Sequence, residues 1–474
     1  MRDRSSGWRI GDGVTGIQDD SRQLRPGEVF VAVPGTHDDG RSYVREAIRR
    51  GAVAIVSESP LEGAPVPVCV VPDARTALAE LASAFYGDPW RGCHLVAVTG
   101  TAGKSTAVEW VLHLLRGGGE EARAVGSLHR EGVPEGAPGL TTPSPVELHR
   151  RLRGFRDAGV RTVVLEVTSH AIRQSRVHGI TFEAGVLTSL GRDHLDYHPT
   201  LQDYWNTKRE LFTALPGKGR AFLPASGIDP GFAQGLPAPV TRFGEGGDVA
   251  VIQEGRIEDD GAYSARLLTP DGGAPFRMFL PGPGMARSAA SAAAYALWRG
   301  MEAGDIARLL GELREIPGRL ESFVVRGIKI VIDYGHNPPG IATAMAAARE
   351  MAGGGRLTVV LGAPGHRDRG KLPEMGRLVA EAESVIVTSE SPEGESPEEL
   401  AELLAQGVRE AGSSPRLVMD REEAVREALR GALPGDVVLL LGRGRERFQD
   451  FGQVVLLGSD RELVERAERS LRPF

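Results

Sequence analysis

The chain has 474 residues, enough for about two to four domains. Apolar residues make up 41% and charged residues 25%, an ordinary globular mixture that excludes a wholly disordered chain. The net charge of −7 arises from 56 basic and 63 acidic residues, so charge gives no reason to expect nucleic acid as a partner. No apolar run approaches the ~18 residues of a membrane span. Residues 1–7 carry charges with no apolar core behind them, so neither a membrane segment nor a secretory signal is expected. The two cysteines, Cys69 and Cys93, fit a reducing compartment, and a cytoplasmic protein is expected.

Residues 1–90 read as a small α/β unit with turn-rich joints. Its apolar runs at 29–33 and 52–56 predict strands, with helices over 42–50 and 75–86. A second unit is expected over 91–315. There the run 95–99 predicts a buried strand, 104–116 a helix, and 163–165 and 186–187 further core strands. Short alternating segments around Gly and Asp over 245–282 predict an antiparallel β excursion, and the Ala-rich run 285–299 a helix. A third unit, 316–474, alternates apolar runs at 328–332, 357–361, 384–388 and 437–441 with helical stretches near 339–352, 371–382, 397–412 and 421–431. That alternation predicts a mostly parallel sheet covered by helices, so the fold class is α/β throughout. Joints rich in Gly or Pro near 88–92 and 315–319 are the expected linkers.

The most specific local signal is the run Gly100, Thr101, Ala102, Gly103, Lys104, Ser105, Thr106, after a predicted strand and opening a predicted helix. Such a loop points backbone N–H groups and a helix N-terminus at a phosphate. Lys104 is placed to reach outer phosphates and Ser105 to ligate Mg²⁺. The full Walker spacing would need Gly at 98, where Val stands, so the loop is a compact variant. The competing reading is a tight turn that needs glycine for its backbone angles alone. The expected ligand is ATP or GTP.

Two further segments follow predicted strand ends, where ligands gather in open α/β sheets. One runs from Glu166 through Ser169 to His170. The other runs from Thr188 through Asp193 and His194 to His198. Glu166 is a hard oxygen ligand suited to Mg²⁺, and His194 is a candidate beside it. Hydrogen-bonded loop histidines are the alternative for each His. Lys208 lies 14 residues after His194 on a helical stretch, where a lysine is ordinarily solvated. Yet the chain holds 51 Arg and only five Lys, so each remaining Lys is a candidate for chemistry that needs a neutral amine.

These residues together resemble the Mur ligases, ATP-dependent amide-forming enzymes of peptidoglycan synthesis, and among them the MurE type. The resemblance covers essentially the whole chain. Asp20, Ser21 and Arg22, then residues 25–27, 30–32, 35 and 39–40, resemble that type's uridine-nucleotide domain. The phosphate loop, Thr141, Thr142 and Pro143, Glu166 to His170, Arg176 and Val177, and residues 191–198 follow in order. Gly318 and Arg319, Asp333, Tyr334 and His336, Arg367 to Lys371, and Gly442, Gly444 and Glu446 complete it. Residues 333–338 and 362–367 also look partly like the cyanophycin synthetase branch.

The resemblance implies three domains: a UDP-substrate domain, a central ATPase domain and a Rossmann-like domain that brings the incoming amino acid. It implies that Lys104 and its loop hold ATP with Arg319 and Asp333. It implies Mg²⁺ on Glu166 and His194, with Ser105, and a carbamate on Lys208 that helps fix the metal. Substrate contacts implied by it are Ser21, Thr141, Thr142, Ser169, Arg176, His336, Arg367, Glu390, Glu393, Gly442 and Glu446. The substrates would be a UDP-linked muramoyl dipeptide and a free amino acid, joined through an acyl phosphate by a monomeric enzyme. A serine hydrolase is excluded for Ser105 and Ser169, since neither has the Gly-x-Ser-x-Gly setting.

Several positions depart from the family pattern. Ala102, Ser189, Met285 and Ser288 stand where Asn is usual, the last two where adenine is usually met. The family's diaminopimelate users carry Asp-Asn-Pro-Arg, and the aligned run here is Glu390, Ser391, Pro392, Glu393. An acid in place of that Arg would repel a distal carboxylate and attract a distal ammonium. Lysine or ornithine is therefore expected over diaminopimelate. Arg443 and Arg445 are the alternative sources of the missing positive charge. Two other readings stand beside this one: a paralogous amide ligase acting on another carboxylate, and a non-catalytic nucleotide-binding partner. The second would show loss of Lys104, Glu166, His194 or Lys208, and all four are present.

Overall fold

The computed structural model describes residues 2–3, 7–8, 10–11, 13–35, 39–130, 139–258 and 261–471. The outer ends of the first and third expected units, residue 1 and residues 472–474, lie outside them. The three parallel-sheet units follow one another along the chain. In the first, strands Gly16–Gln18, Glu28–Val31, Ala54–Ser57 and Val68–Val70 pair in parallel in that order. The helices Val44–Arg49 and Ala74–Phe85 cover this sheet with two small apolar clusters.

The second unit is a six-stranded parallel sheet. Its spatial order is Val240–Phe243, Arg220–Pro224, Ala184–Leu187, His94–Thr99, Thr162–Glu166, Ala122–Val125. The strand His94–Thr99 lies centrally and is buried on both faces, as its continuous run of Leu, Val and Ala dictates. The helix Lys104–Gly117 leaves its end directly, so the phosphate loop sits at a carboxyl edge between neighbouring strands. The expected antiparallel excursion forms as three strands, Ala250–Glu254, Tyr263–Thr269 and Gly272–Met278. The Ala-rich helix spans Pro283–Trp298 and is buried along most of its length.

The third unit is a sheet ordered Glu321–Val325, Ile328–Asp333, Val437–Leu441, Leu357–Leu361, Ser384–Val387, Arg416–Leu417. Only the first pairing is antiparallel. Helices Pro338–Ala352, Leu372–Val379, Pro397–Glu410, Arg421–Gly431 and Asp460–Ser470 cover it.

The second and third units share one continuous apolar core. Its junction is the close approach of the helix Pro283–Trp298 to the helix Pro338–Ala352. A Cβ on Gly282 would meet Ala347 at 2.9 Å, and one on Gly284 would strike Thr343. The first unit keeps its own core, against which Val146 of the second unit packs, and polar bonds add to that contact. Arg153 and Arg156 donate to the Tyr86 and Gly87 carbonyls. No helix among the described residues is long and apolar enough to cross a membrane.

Candidate active site

A cleft of about 590 Å³ opens between the second and third units, at the carboxyl ends of both sheets. Its floor is the phosphate loop. Gly100 has φ +152° and Gly103 φ +85°, and a Cβ on Gly100 would collide with Thr188, so neither position accepts a side chain. Lys104 Nζ donates to the Gly100 carbonyl at 2.9 Å and to the Thr101 carbonyl at 3.2 Å. Thr101 Oγ1 accepts from Tyr204 at 3.3 Å and from the Gly191 N–H at 3.0 Å. Ser105 and Thr106 are buried at the start of the helix.

Ser189 shows how the loop manages without its usual asparagine. Its hydroxyl accepts from the Ala102 N–H at 2.9 Å and donates to the Ala102 carbonyl at 3.0 Å. Met285 and Ser288 also line the cleft, and Ser288 bonds its own helix at the Gly284 carbonyl. Neither supplies an amide to a base.

Glu166 faces the loop. Ser105 Oγ and Ser127 Oγ each donate to its Oε2 at 3.2 Å, and the Ser127 N–H donates to Oε1 at 3.1 Å. Among the described residues no three His, Cys, Asp or Glu side chains gather as a cage for a metal. Mg²⁺ does not need one. It takes one or two carboxylates with phosphate and water oxygens, and Ser105 with Glu166 offers that donor set.

His194 and Lys208 lie in the neighbouring layer, joined through Tyr204. The His194 ring sits 6.0 Å from the Tyr204 ring, and Lys208 Nζ lies 4.5 Å over it. His194 adopts φ +55°, an uncommon backbone for a non-glycine residue, and the Asp193 carboxylate accepts its N–H at 3.0 Å. Lys208 is buried, not solvated, and donates to the same Gly100 carbonyl as Lys104, at 3.0 Å. Burial, with Lys104 nearby, pushes its ammonium well below the usual lysine range and favours the neutral amine. His170 packs 4.8 Å from His194, and burial drives it down to about 4.

On the third unit, Arg319 donates to Ser105 Oγ at 3.1 Å and so touches the loop. Asp333 accepts from the Leu320 and Gly335 N–H groups at 3.0 and 2.7 Å, while burial raises its carboxyl. His336 Nδ1 lies 2.9 Å from the Tyr334 carbonyl, and burial drives this ring also to about 4. Arg176 donates to the Thr142 carbonyl at 2.8 Å, and Thr142 to the Glu166 carbonyl at 2.8 Å.

The far end of the cleft is acidic. Glu390, Glu393, Glu446 and Asp450 line it together with Arg367. Arg367 donates to Glu393 at 3.3 Å. Glu390 is pushed up to about 7 by burial, with Arg421 and Arg443 opposing, and its Oε2 has no hydrogen-bond partner. Gly442 lies behind it, where a Cβ would collide with that oxygen. Neither alternative arginine lines this pocket, although the charge of Arg443 reaches Glu390 from behind. Arg443 is fully buried and donates to the Glu446, Phe448 and Gly458 carbonyls. Arg445 pairs with Glu321 and Glu315.

The cleft therefore gathers Thr101, Gly103, Lys104, Ser105, Thr106, Thr141, Glu166, Arg176, His194, Arg319, Asp333, His336, Arg367, Glu390, Glu393 and Glu446 along its walls. Gly100, Thr142, Ser169, Lys208 and Gly442 lie behind that lining. Ser21 sits apart in the first unit, donating to Glu46 at 3.0 Å. Three contributors were not singled out as site residues in the sequence: Ser189, Tyr334 and Lys371. The scarcity of lysine and the family resemblance over Arg367 to Lys371 were the available signals for Lys371.

Known proteins resemble this chain along nearly its whole length. Residues 13–86 match the Mur ligase family catalytic domain, 98–296 the Mur ligase middle domain, and 318–444 the Mur ligase glutamate ligase domain. A UDP-N-acetylmuramoyl-L-alanyl-D-glutamate--2,6-diaminopimelate ligase of Geobacillus thermodenitrificans is 34% identical over 97% of this chain and 96% of its own. The ligase of the same name from Mesorhizobium japonicum is 37% identical, over 96% of this chain and 95% of its own. A solved structure of a ligase with that name is 25% identical, with a TM-score of 0.63 over 97% of this chain and 96% of its own. The Thermotoga maritima MurF ligase in complex with ADP shares the fold at a TM-score of 0.67 and 20% identity, over 97% of this chain and 99% of its own. The chain belongs to the Mur ligase family and is an ATP-dependent ligase with its three-domain α/β architecture.

Proposed function

We propose that the chain adds the third amino acid to UDP-N-acetylmuramoyl-L-alanyl-D-glutamate in peptidoglycan synthesis, and that this amino acid is lysine or ornithine. The full-length likeness to ligases named for that UDP-linked dipeptide supports the first part. The acidic end of the cleft carries the second. Arg367 is paired with Glu393, and neither Arg443 nor Arg445 lines the cleft, so a distal ammonium there faces four carboxyl groups and one guanidinium. A second reading, diaminopimelate, rests on the relatives' names; it requires Arg367 to leave Glu393 for the distal carboxylate. The domain bounds that fit this reading are 1–90, 91–315 and 316–474. Ser21 belongs to the first of these, where the UDP moiety would bind, and the ATP and UDP-linked substrates fit the cytoplasm.

In the mechanism, Lys104 and the loop N–H groups hold the ATP phosphates, with Arg319 and Asp333 on the opposite wall. Glu166, Ser105, His194 and a carbamate on Lys208 would hold Mg²⁺, which neutralises phosphate charge when bound. The substrate carboxylate oxygen attacks the γ-phosphorus and ADP leaves. The neutral amine then attacks the acyl carbon, the phosphate leaves, and the proton lost from nitrogen ends on that phosphate as HPO4²⁻. The protein's part is positioning and charge compensation, with no enzyme nucleophile. Thr141, Arg176 and His336 would orient the carboxylate-bearing substrate from the cleft wall, with Thr142 and Ser169 supporting them from behind. The buried ring of His336 stays neutral near pH 7 and adds no positive charge.

Hydroxylamine in place of the amino acid tests the acyl phosphate. With ATP, Mg²⁺ and the UDP-linked dipeptide, a hydroxamate is expected by mass spectrometry. Its absence, with ATP bound, would overturn the proposed substrate.

A further inference from the structure

Tyr334 stands where the two halves of the cleft meet, at the end of the strand Ile328–Asp333. Its hydroxyl donates to Glu446 Oε1 at 2.8 Å. The Arg319 guanidinium lies over its ring, 4.6 Å from the centroid, and Arg319 reaches Ser105 Oγ at 3.1 Å. Ser105 in turn donates to Glu166 at 3.2 Å. One continuous set of contacts thus runs from the acidic pocket to the phosphate loop. The ring is fixed on several sides. The Tyr334 N–H donates to the Gly318 carbonyl at 3.1 Å, the His336 ring packs edge-on at 5.0 Å, and a Cβ on Gly444 would lie 3.3 Å from the Tyr334 Cβ and ring. A side chain so held can aim another.

We propose that Tyr334 is a positioning residue that ties the amino-acid pocket to the nucleotide loop, its hydroxyl aiming the Glu446 carboxylate and its ring face carrying Arg319. This rests on the proposed reading that the acidic end of the cleft, which Glu446 lines, receives the distal ammonium of the incoming amino acid. The two attachments are separable. Phenylalanine keeps the ring and its packing and loses only the bond to Glu446. Leucine loses the π face under Arg319 as well.

A hydrogen bond to a charged group sets the scale, so Tyr334→Phe should raise KM for the amino acid about 10-fold. KM for ATP should stay within about twofold, because the cation–π contact remains. Tyr334→Leu should raise KM for ATP too, by about 3- to 10-fold. In the Glu446→Gln background, Tyr334→Phe should add nothing further to the amino-acid KM. A pH readout separates aiming from mere space filling. Glu446 faces Arg443, Arg421, Arg319, Arg130 and Glu390; burial raises its carboxyl and the Tyr334 hydroxyl opposes that rise. Tyr334→Phe should therefore move the Glu446 titration upward. Carbon NMR of glutamate-labelled protein would show this, with Glu446→Gln identifying the signal. The acid limb of kcat/KM for the amino acid should move the same way.

Wild-type enzyme that makes no product with any diamino acid would overturn the pocket reading itself. An active Tyr334→Phe enzyme with unchanged amino-acid KM and unchanged Glu446 titration would overturn the proposal alone. Equal rises in both KM values for Tyr334→Phe would also overturn it.

Discussion

Lys371 Nζ lies 2.7 Å from Asp193 Oδ1, and both side chains are buried. Asp193 belongs to the central unit and Lys371 to the C-terminal one, so this pair joins the units beneath the cleft. Asn337 donates to the other Asp193 oxygen at 2.9 Å, and Arg192 pairs with Asp368 at 2.8 Å nearby. Burial alone would raise Asp193, but His194 and His336, once acid protonates them, and Lys371 hold it well below the usual carboxylate range. Breaking one side of such a pair leaves an uncompensated buried charge. Asp193→Ala and Lys371→Met should each cost about 3–5 kcal/mol in denaturant unfolding. The depressed carboxyl contributes stability above its unfolded value of about 4, and that contribution is lost as pH falls below it. Wild-type protein should therefore lose more stability in acid than Asp193→Asn does.

Glu390 gives a pH dependence of opposite origin. Its carboxyl is raised to about 7, so it is largely neutral below that pH and anionic above. The attraction for a distal ammonium therefore strengthens as pH rises through 7. KM for lysine or ornithine should fall about 5-fold between pH 6 and pH 8 in wild type. Glu390→Gln should flatten that change in the same initial-rate series.

Lys208 should behave as an amine, not as an ammonium. In ¹³C-bicarbonate the wild-type protein should show a carbamate carbon by NMR, and Lys208→Arg should not. Loss of a group that fixes the metal costs about 10- to 100-fold in activity, so Lys208→Arg should lose at least that much kcat. A wild-type spectrum without the carbamate signal would remove Lys208 from the metal site.

Glu393 sits at φ +53°, beside Arg367, in the run that aligns with the family's amino-acid selector. Glu393→Arg places two guanidinium groups together and inverts the local charge. Lysine use should fall at least about 10-fold in kcat/KM while diaminopimelate use rises. Parallel kcat/KM measurements with the two amino acids check this.

Much of the fold was legible because its core strands are continuous apolar runs. Val96–Val98 and Val437–Leu441 are buried on both faces and read as strands without any partner known. The helix Pro145–Asp157 was not legible in the same way. Its buried stripe mixes Leu148, Leu152 and Phe155 with His149 and Arg151, so its apolar period is faint. At the site, the phosphate loop was legible because glycine, lysine and strand context coincide within seven residues. Ser189 was visible only as a missing asparagine, since its two bonds to Ala102 form 87 residues away. Tyr334 and Glu446 meet across 112 residues, and no local pattern announces that pairing. The spacing of Arg443 and Arg445 likewise said nothing of their partners. Burial turned one toward backbone carbonyls and the other toward Glu321.

The most direct test of the central claim is ATP-dependent product formation with UDP-N-acetylmuramoyl-L-alanyl-D-glutamate and a panel of lysine, ornithine and meso-diaminopimelate, read by mass spectrometry. Product with lysine or ornithine, and at least about 10-fold less with diaminopimelate, is the predicted result. Product with diaminopimelate alone would contradict the selectivity drawn from Glu393, and no product with any of the three, despite bound ATP, would contradict the proposed substrate.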